Sequence, residues 1–153
     1  YSITEVNIHG ESEKVIIFGI DQSKIKVSEQ AYNFTKTYRK MQNQKSVKSA
    51  PLPDHNNVTE IVFYGHSLAE ADYSYFQSLF DFYDLYHGKV CLTFLYSHYD
   101  IERKKEIDNA QLKSITELLA RYGETMDNKD HGHNLTHKLL LENRLTIKIL
   151  DTK

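Results

Sequence analysis

The side chains best suited to chemistry in this chain stand where apolar runs give way to polar ones. Gly65, His66 and Ser67 follow the run from Val58 to Tyr64. Glycine lets the backbone approach a ligand, Ser67 can donate its hydroxyl to a ribose or phosphate oxygen, and the loop N–H groups favour an anion. Asp72, a little further on, either binds a ribose hydroxyl or caps the helix that starts beside it. His9 follows the alternating stretch Ile3 to Ile8 and precedes Gly10. It reads either as a turn histidine bonded to backbone or as a neutral imidazole able to act as a general base. His131, His133 and His137 lie close together in DHGHNLTH, and such tracts can bind zinc. No cysteine accompanies them and their spacing straddles an expected helix start, so no metal site is predicted.

These groups need elements to hold them. Val58, Ile61, Val62, Phe63 and Tyr64 form a near-continuous apolar run, the pattern of a central strand covered on both faces of a parallel sheet. Gly65 ends it. Ser67 and Glu70 have capping-box spacing, and a helix is predicted over Asp72 to Tyr86, starting between Leu68 and Tyr73. Its aromatics, Tyr73, Tyr75, Phe76, Phe80, Phe82, Tyr83 and Tyr86, suit the wide apolar face of a helix lying on a sheet rather than a cofactor box. Lys89 to Ser97 reads as the next strand, parallel to the first, because the helix between them is long enough for a crossover.

Downstream, Asp100 to Asn109 and Ala110 to Tyr122 read as helices, the second with Leu112, Ile115, Leu118 and Leu119 as its buried stripe and Gly123 as its stop. A helix over Leu135 to Asn143 and a strand over Leu145 to Leu150 complete this half. Upstream, Ile3 to Ile8 and Val15 to Gly19 read as strands. Ser28 offers an N-cap for a helix carrying Ala31, Phe34, Tyr38 and Met41, and Gln42 to Asn57 reads as loop. The order predicts one α/β domain over residues 1–153, layered, with a mostly parallel sheet. In open sheets of this kind ligands bind beyond the carboxyl ends of the strands. His9 and Ser67 both follow a predicted strand end, so they are expected to face a shared cleft.

The 153 residues are 40% hydrophobic with no long apolar run, so no membrane span is expected. A net charge of −2 gives no electrostatic footprint for a nucleic-acid partner. The basic residues between Lys24 and Lys48 read as a solvated face or, less commonly, a phosphate contact. Cys91 is the single cysteine, which excludes a disulfide framework and points to a reducing cytoplasm, with the thiol as a small buried hydrophobe. The chain opens on Tyr1 and enters a predicted strand at once, and is read as a piece of something longer.

GHSLAEADYSYF resembles the GHSL signature of the AbiH family of phage abortive-infection proteins, and is more distantly similar to the Gly-Thr-Ser-Leu segment with which sirtuins hold the ribose of NAD. VNIHGESEKVIIFGID resembles the family's His-Gly segment, and LLLENRLTIKIL its closing helix and strand. The resemblance implies a Rossmann-like, sirtuin-like topology, with this chain as the carboxy-terminal part of a larger domain in a bacterial cytoplasmic protein. It implies His9 as the general base and Gly65, His66, Ser67 and Asp72 as the NAD-binding set. It further implies that the complete protein hydrolyses NAD or a related nucleotide during infection, with a phage-derived trigger or a homo-oligomer as its partners. Two departures stand out. His66 replaces the sirtuin threonine, and no cysteine lies between the two motifs to hold the sirtuin structural zinc. No glycine-rich G-x-G-x-x-G phosphate loop occurs in these residues either, so the chain alone is expected to be inactive. The other function these features allow is a module without chemistry, which recognises a phage product or another subunit.

Overall fold

Parallel strands can be joined only through crossovers, and the alternation of apolar runs with helical periodicity downstream of residue 57 builds such an arrangement. The computed structural model describes residues 25–35, 37–38, 41–42, 52–64 and 67–150. Contacts divide the chain into two units, one taking in Tyr1–Asp54 and Glu70–Ser78, the other His55–Ala69 and Leu79–Lys153. Among the described residues there are three strands, β1 (Glu60–Tyr64), β2 (Cys91–Tyr96) and β3 (Leu145–Ile149). The helices are α1 (Tyr73–Phe82), α2 (Lys104–Thr125) and α3 (Lys129–Leu141), with short 3₁₀ turns at Gln30–Phe34, His55–Asn57 and Glu70–Asp72. The protein is therefore a mixed α/β structure. No described helix is long and apolar enough to cross a membrane.

All three strands run parallel in the order β1-β2-β3. Phe63 sits opposite Phe94, and Phe94 opposite Ile147. Because side chains alternate along a strand, Ile61, Phe63, Leu92, Phe94, Leu145 and Ile147 share one face. Phe63 and Phe94 stack at 4.7 Å, Phe80 of α1 meets Phe63 edge-on at 6.3 Å, and Tyr122 of α2 meets Phe80 at 5.2 Å. Leu92, Phe94, Ile115, Leu118, Leu119, Leu135 and Leu139 are buried in the same unit. The Tyr122 hydroxyl also donates to Asp81 at 2.9 Å, so one side chain ties α2 to the end of α1 by packing and by hydrogen bond.

Several expectations are corrected here. β1 is not covered on both faces: Val62 and Tyr64 are 48% and 73% exposed, because alternation turns them away from Phe63. The helix predicted to reach Tyr86 stops at Phe82, where Asp84 takes a left-handed φ of 44° and the Leu85 amide reaches back to the Phe80 carbonyl. A non-glycine residue makes that stop, which hides it in the sequence. Within the predicted aromatic face Phe76, Phe80 and Tyr83 are buried, whereas Phe82 is exposed.

The two helices expected over Asp100–Tyr122 are one, α2, which runs through Gly123. Gly123 does not stop the helix because it serves a different purpose: a Cβ there would stand 2.4 Å from the Gly132 carbonyl oxygen of α3. Leu112 is 47% exposed and leaves the buried stripe to Ile115, Leu118, Leu119 and Tyr122. The following helix begins at Lys129 rather than Leu135, with the Asn128 side chain accepting from the His131 amide as its cap. In the other unit, the helix expected from Ser28 begins as a 3₁₀ turn over Gln30–Phe34, preceded by Glu29, and Thr37, Tyr38, Met41 and Gln42 further on are α-helical, with Phe34 and Met41 exposed. The strands predicted over Ile3–Ile8 and Val15–Gly19 lie outside the described residues.

Arg144, the residue before β3, holds this end of the fold together. Its amide donates to the Leu139 carbonyl at 2.7 Å as α3 unwinds through Asn143, and its carbonyl accepts from the Leu92 amide at 2.7 Å. Its buried guanidinium donates to the carbonyls of Val90 at 2.9 Å and Leu85 at 2.6 Å, and to Glu142 at 2.8 Å. The turn that leads from α1 into β2 is thereby fastened to the start of β3.

Candidate functional site at the carboxyl edge of the sheet

A parallel sheet gathers the ends of all its strands along one edge, and the loops that leave them are free to carry function. At the end of β1 the chain passes into Ser67, Leu68 and Ala69. Ser67 is exposed, and its hydroxyl is without a partner among the described residues. Leu68 is buried with a φ of 53°, a left-handed conformation that costs a branched side chain about 1–3 kcal/mol and that tends to cluster at binding sites. Gly65 and His66 lie outside the described residues, as does His9, and so does the cleft expected between His9 and Ser67. Asp72 belongs to the other unit; it immediately precedes α1 and is only 2% exposed.

The end of the middle strand carries chemistry that the sequence reading passed over. Tyr96 is the last residue of β2 and His98 follows it. Asp108, one turn into α2, receives both: its Oδ1 accepts from the Tyr96 hydroxyl at 2.7 Å and lies 2.6 Å from His98 Nε2. The Tyr96 and His98 rings meet edge-on at 5.8 Å, and the His98 side chain is 14% exposed. The hydrogen bonds from Tyr96 first and then from His98 hold the Asp108 carboxyl below the usual carboxylate range. Burial first, then the hydrogen bond to Asp108 and its charge, push the Tyr96 phenol up to about 12. Tyr96 is thus a donor at neutral pH and Asp108 an acceptor.

An ionised carboxylate only accepts, so the short contact to His98 places a proton on Nε2. In the neutral ring Nδ1 then carries the lone pair, and among the described residues it has no hydrogen-bond partner. The Leu150 amide donates to the Tyr96 carbonyl at 2.7 Å, fixing β2 to the end of β3 beside this cluster. One signal in the sequence pointed here. His98 follows a predicted strand just as Gly65 does, but nothing in the spacing pairs it or Tyr96 with Asp108.

The histidine tract is put to another use. His131 stacks on Tyr86 at 4.2 Å, with Lys138 Nζ 5.1 Å from the same Tyr86 ring, and His87 binds Asp84 at 3.0 Å. Among the described residues no three His, Cys, Asp or Glu side chains are placed to hold a metal ion.

No family model matches the chain, and comparison with curated proteins and with solved structures finds no match.

Proposed function

We propose that this chain is the carboxy-terminal part of an AbiH-like antiphage protein of Rossmann-like topology, whose carboxyl-edge site takes the ribose end of NAD or a related nucleotide and hydrolyses it in the complete protein. The observation that carries this reading is the placement of Ser67. The GHSL motif leaves β1 at the carboxyl end of a strand that is parallel to its neighbour, where a ligand of this kind would sit. The residues present fit a ribose: an exposed serine hydroxyl at one strand end, without a partner among the described residues, and a tyrosine, histidine and aspartate at the next. They do not fit a pyrophosphate, since the sequence has no glycine-rich loop to receive one. Under this reading the phosphate-binding part and His9 belong with residues beyond those described, and the cellular setting is the bacterial cytoplasm.

The test is NAD loss in cells that express the complete protein during phage challenge. Loss that tracks protection supports the nucleotide reading. Full protection with the nucleotide pool intact would leave a recognition module, one that meets a phage product or a second subunit, as the function.

A further inference from the structure

We infer that His98, oriented by Asp108, is a proton-accepting group of the carboxyl-edge site and presents Nδ1 to a hydroxyl-bearing ligand; as a catalytic role this rests on the nucleotide reading above. The geometry begins with Asp108. Its Oδ1 takes the Tyr96 hydroxyl and His98 Nε2 together, at 2.7 and 2.6 Å, so the imidazole is gripped at one nitrogen. Tyr96 is fixed in turn as the last residue of β2, with its carbonyl bonded to Leu150. The imidazole is therefore held at the end of the sheet's middle strand, with Nε2 committed and Nδ1 unpartnered among the described residues.

One nitrogen is fixed by a carboxylate and the other has no partner among the described residues, an arrangement that keeps an imidazole in a single tautomer and suits it to proton transfer. The step is simple. A ligand hydroxyl or a water loses its O–H proton to Nδ1, the electron pair stays on oxygen, and the imidazolium that forms faces the Asp108 carboxylate. Tyr96 is a positioning residue, since it touches Asp108 and not the reacting atoms. The ligand class that suits these groups is a hydroxyl flanked by hydrogen-bonding neighbours, as on a ribose.

Two measurements test this. Long-range nitrogen–proton correlation on the 153-residue chain at neutral pH should find the His98 proton on Nε2 with Nδ1 bare, and the Nε2 proton should lose its protection from exchange in Asp108→Ala. A proton on Nδ1, alone or with one on Nε2, would overturn the inference, because no lone pair would then be offered. This arm needs no ligand. In the complete protein, His98→Gly should lower kcat for nucleotide hydrolysis by about 10²- to 10⁴-fold with KM little changed, and added imidazole should restore part of it. Full turnover in a folded His98→Gly protein sinks the inference while leaving the nucleotide reading intact. A complete protein that never consumes nucleotide sinks that reading instead, and the nitrogen assignment still decides whether His98 offers an acceptor.

Discussion

Gly123 and Gly132 bring the backbones of α2 and α3 into direct contact: a Cβ added to Gly132 would stand 2.1 Å from the Gly123 carbonyl oxygen. The obstacle is main chain, so it cannot swing aside as a side chain would. In an exposed helix interior Gly→Ala normally adds about 1 kcal/mol of stability. Here Gly132→Ala is expected to cost about 1–3 kcal/mol net, since overpacking outweighs the propensity gain. Urea denaturation gives the sign, and a variant more stable than the parent would show that the two helices do not touch at this point.

Arg144 supplies a second stability test. Arg144→Met keeps the buried stem but leaves the carbonyls of Leu85 and Val90 without their charged donor. A loss of about 3 kcal/mol is expected, the usual range for breaking buried charge-assisted hydrogen bonds. Arg144→Lys should recover little of it, because one ammonium cannot reproduce a forked donor that reaches two carbonyls and Glu142. Equal stability of the Lys variant and the parent would contradict the bridging role.

Stability should depend on pH at both extremes through one cluster. Asp108 has its carboxyl depressed in the folded state, by the Tyr96 hydrogen bond above all. Its contribution is complete above the unfolded value near about 4 and is lost as pH falls through the lower folded value. Tyr96 is raised to about 12, so its contribution is complete below about 10 and lost as pH rises through about 12. Asp108→Asn should flatten the profile at the acid end and shrink the loss at the alkaline end, because the Tyr96 phenol then lacks the carboxylate that helps to raise it. Stability curves of variant and parent that run parallel across the whole range would separate the cluster from folding.

Ligand binding by this chain alone should be weak. A micromolar site is worth about 8 kcal/mol, more than a serine hydroxyl and one strand-end cluster supply. If the proposed nucleotide site is real, Ser67→Ala should weaken binding there by about 1 kcal/mol, one neutral hydrogen bond. Calorimetry checks both, and micromolar NAD affinity in the isolated 153 residues would show that no further phosphate-binding part is needed.

What could be read from the sequence, and what could not, follows from the range of the physics involved. The parallel pairing of β1 with β2 was legible, since two apolar runs with an aromatic amphipathic helix between them leave few alternatives. So was α1, whose buried residues Phe76 and Phe80 keep helical spacing with Tyr83 just beyond its end. The exposure of Val62 and Tyr64 was not, because an apolar residue on the outer face of a strand looks the same as one on the inner face. Gly123 was misread for a similar reason: a glycine that admits another backbone has the same letter as one that ends a helix. Asp108 escaped because its partnership with Tyr96 and His98 exists only once α2 lies beside the end of β2.

The order of the strands also governs how the molecule can come together in time. Neither neighbour of β2 reaches it through a tight turn, since α1 intervenes before it and the whole of α2 and α3 after it. No hairpin joins the described strands, and each of their two ladders must wait for its own long loop closure. The α2–α3 hairpin, whose contacts are close in sequence, is then the earliest piece able to persist. Pulse-labelled hydrogen exchange should see its amides protected before those of Cys91–Tyr96. On the ribosome, the middle strand waits with one edge open until residues 145–149 emerge, an interval in which a chaperone rather than β3 is its natural companion.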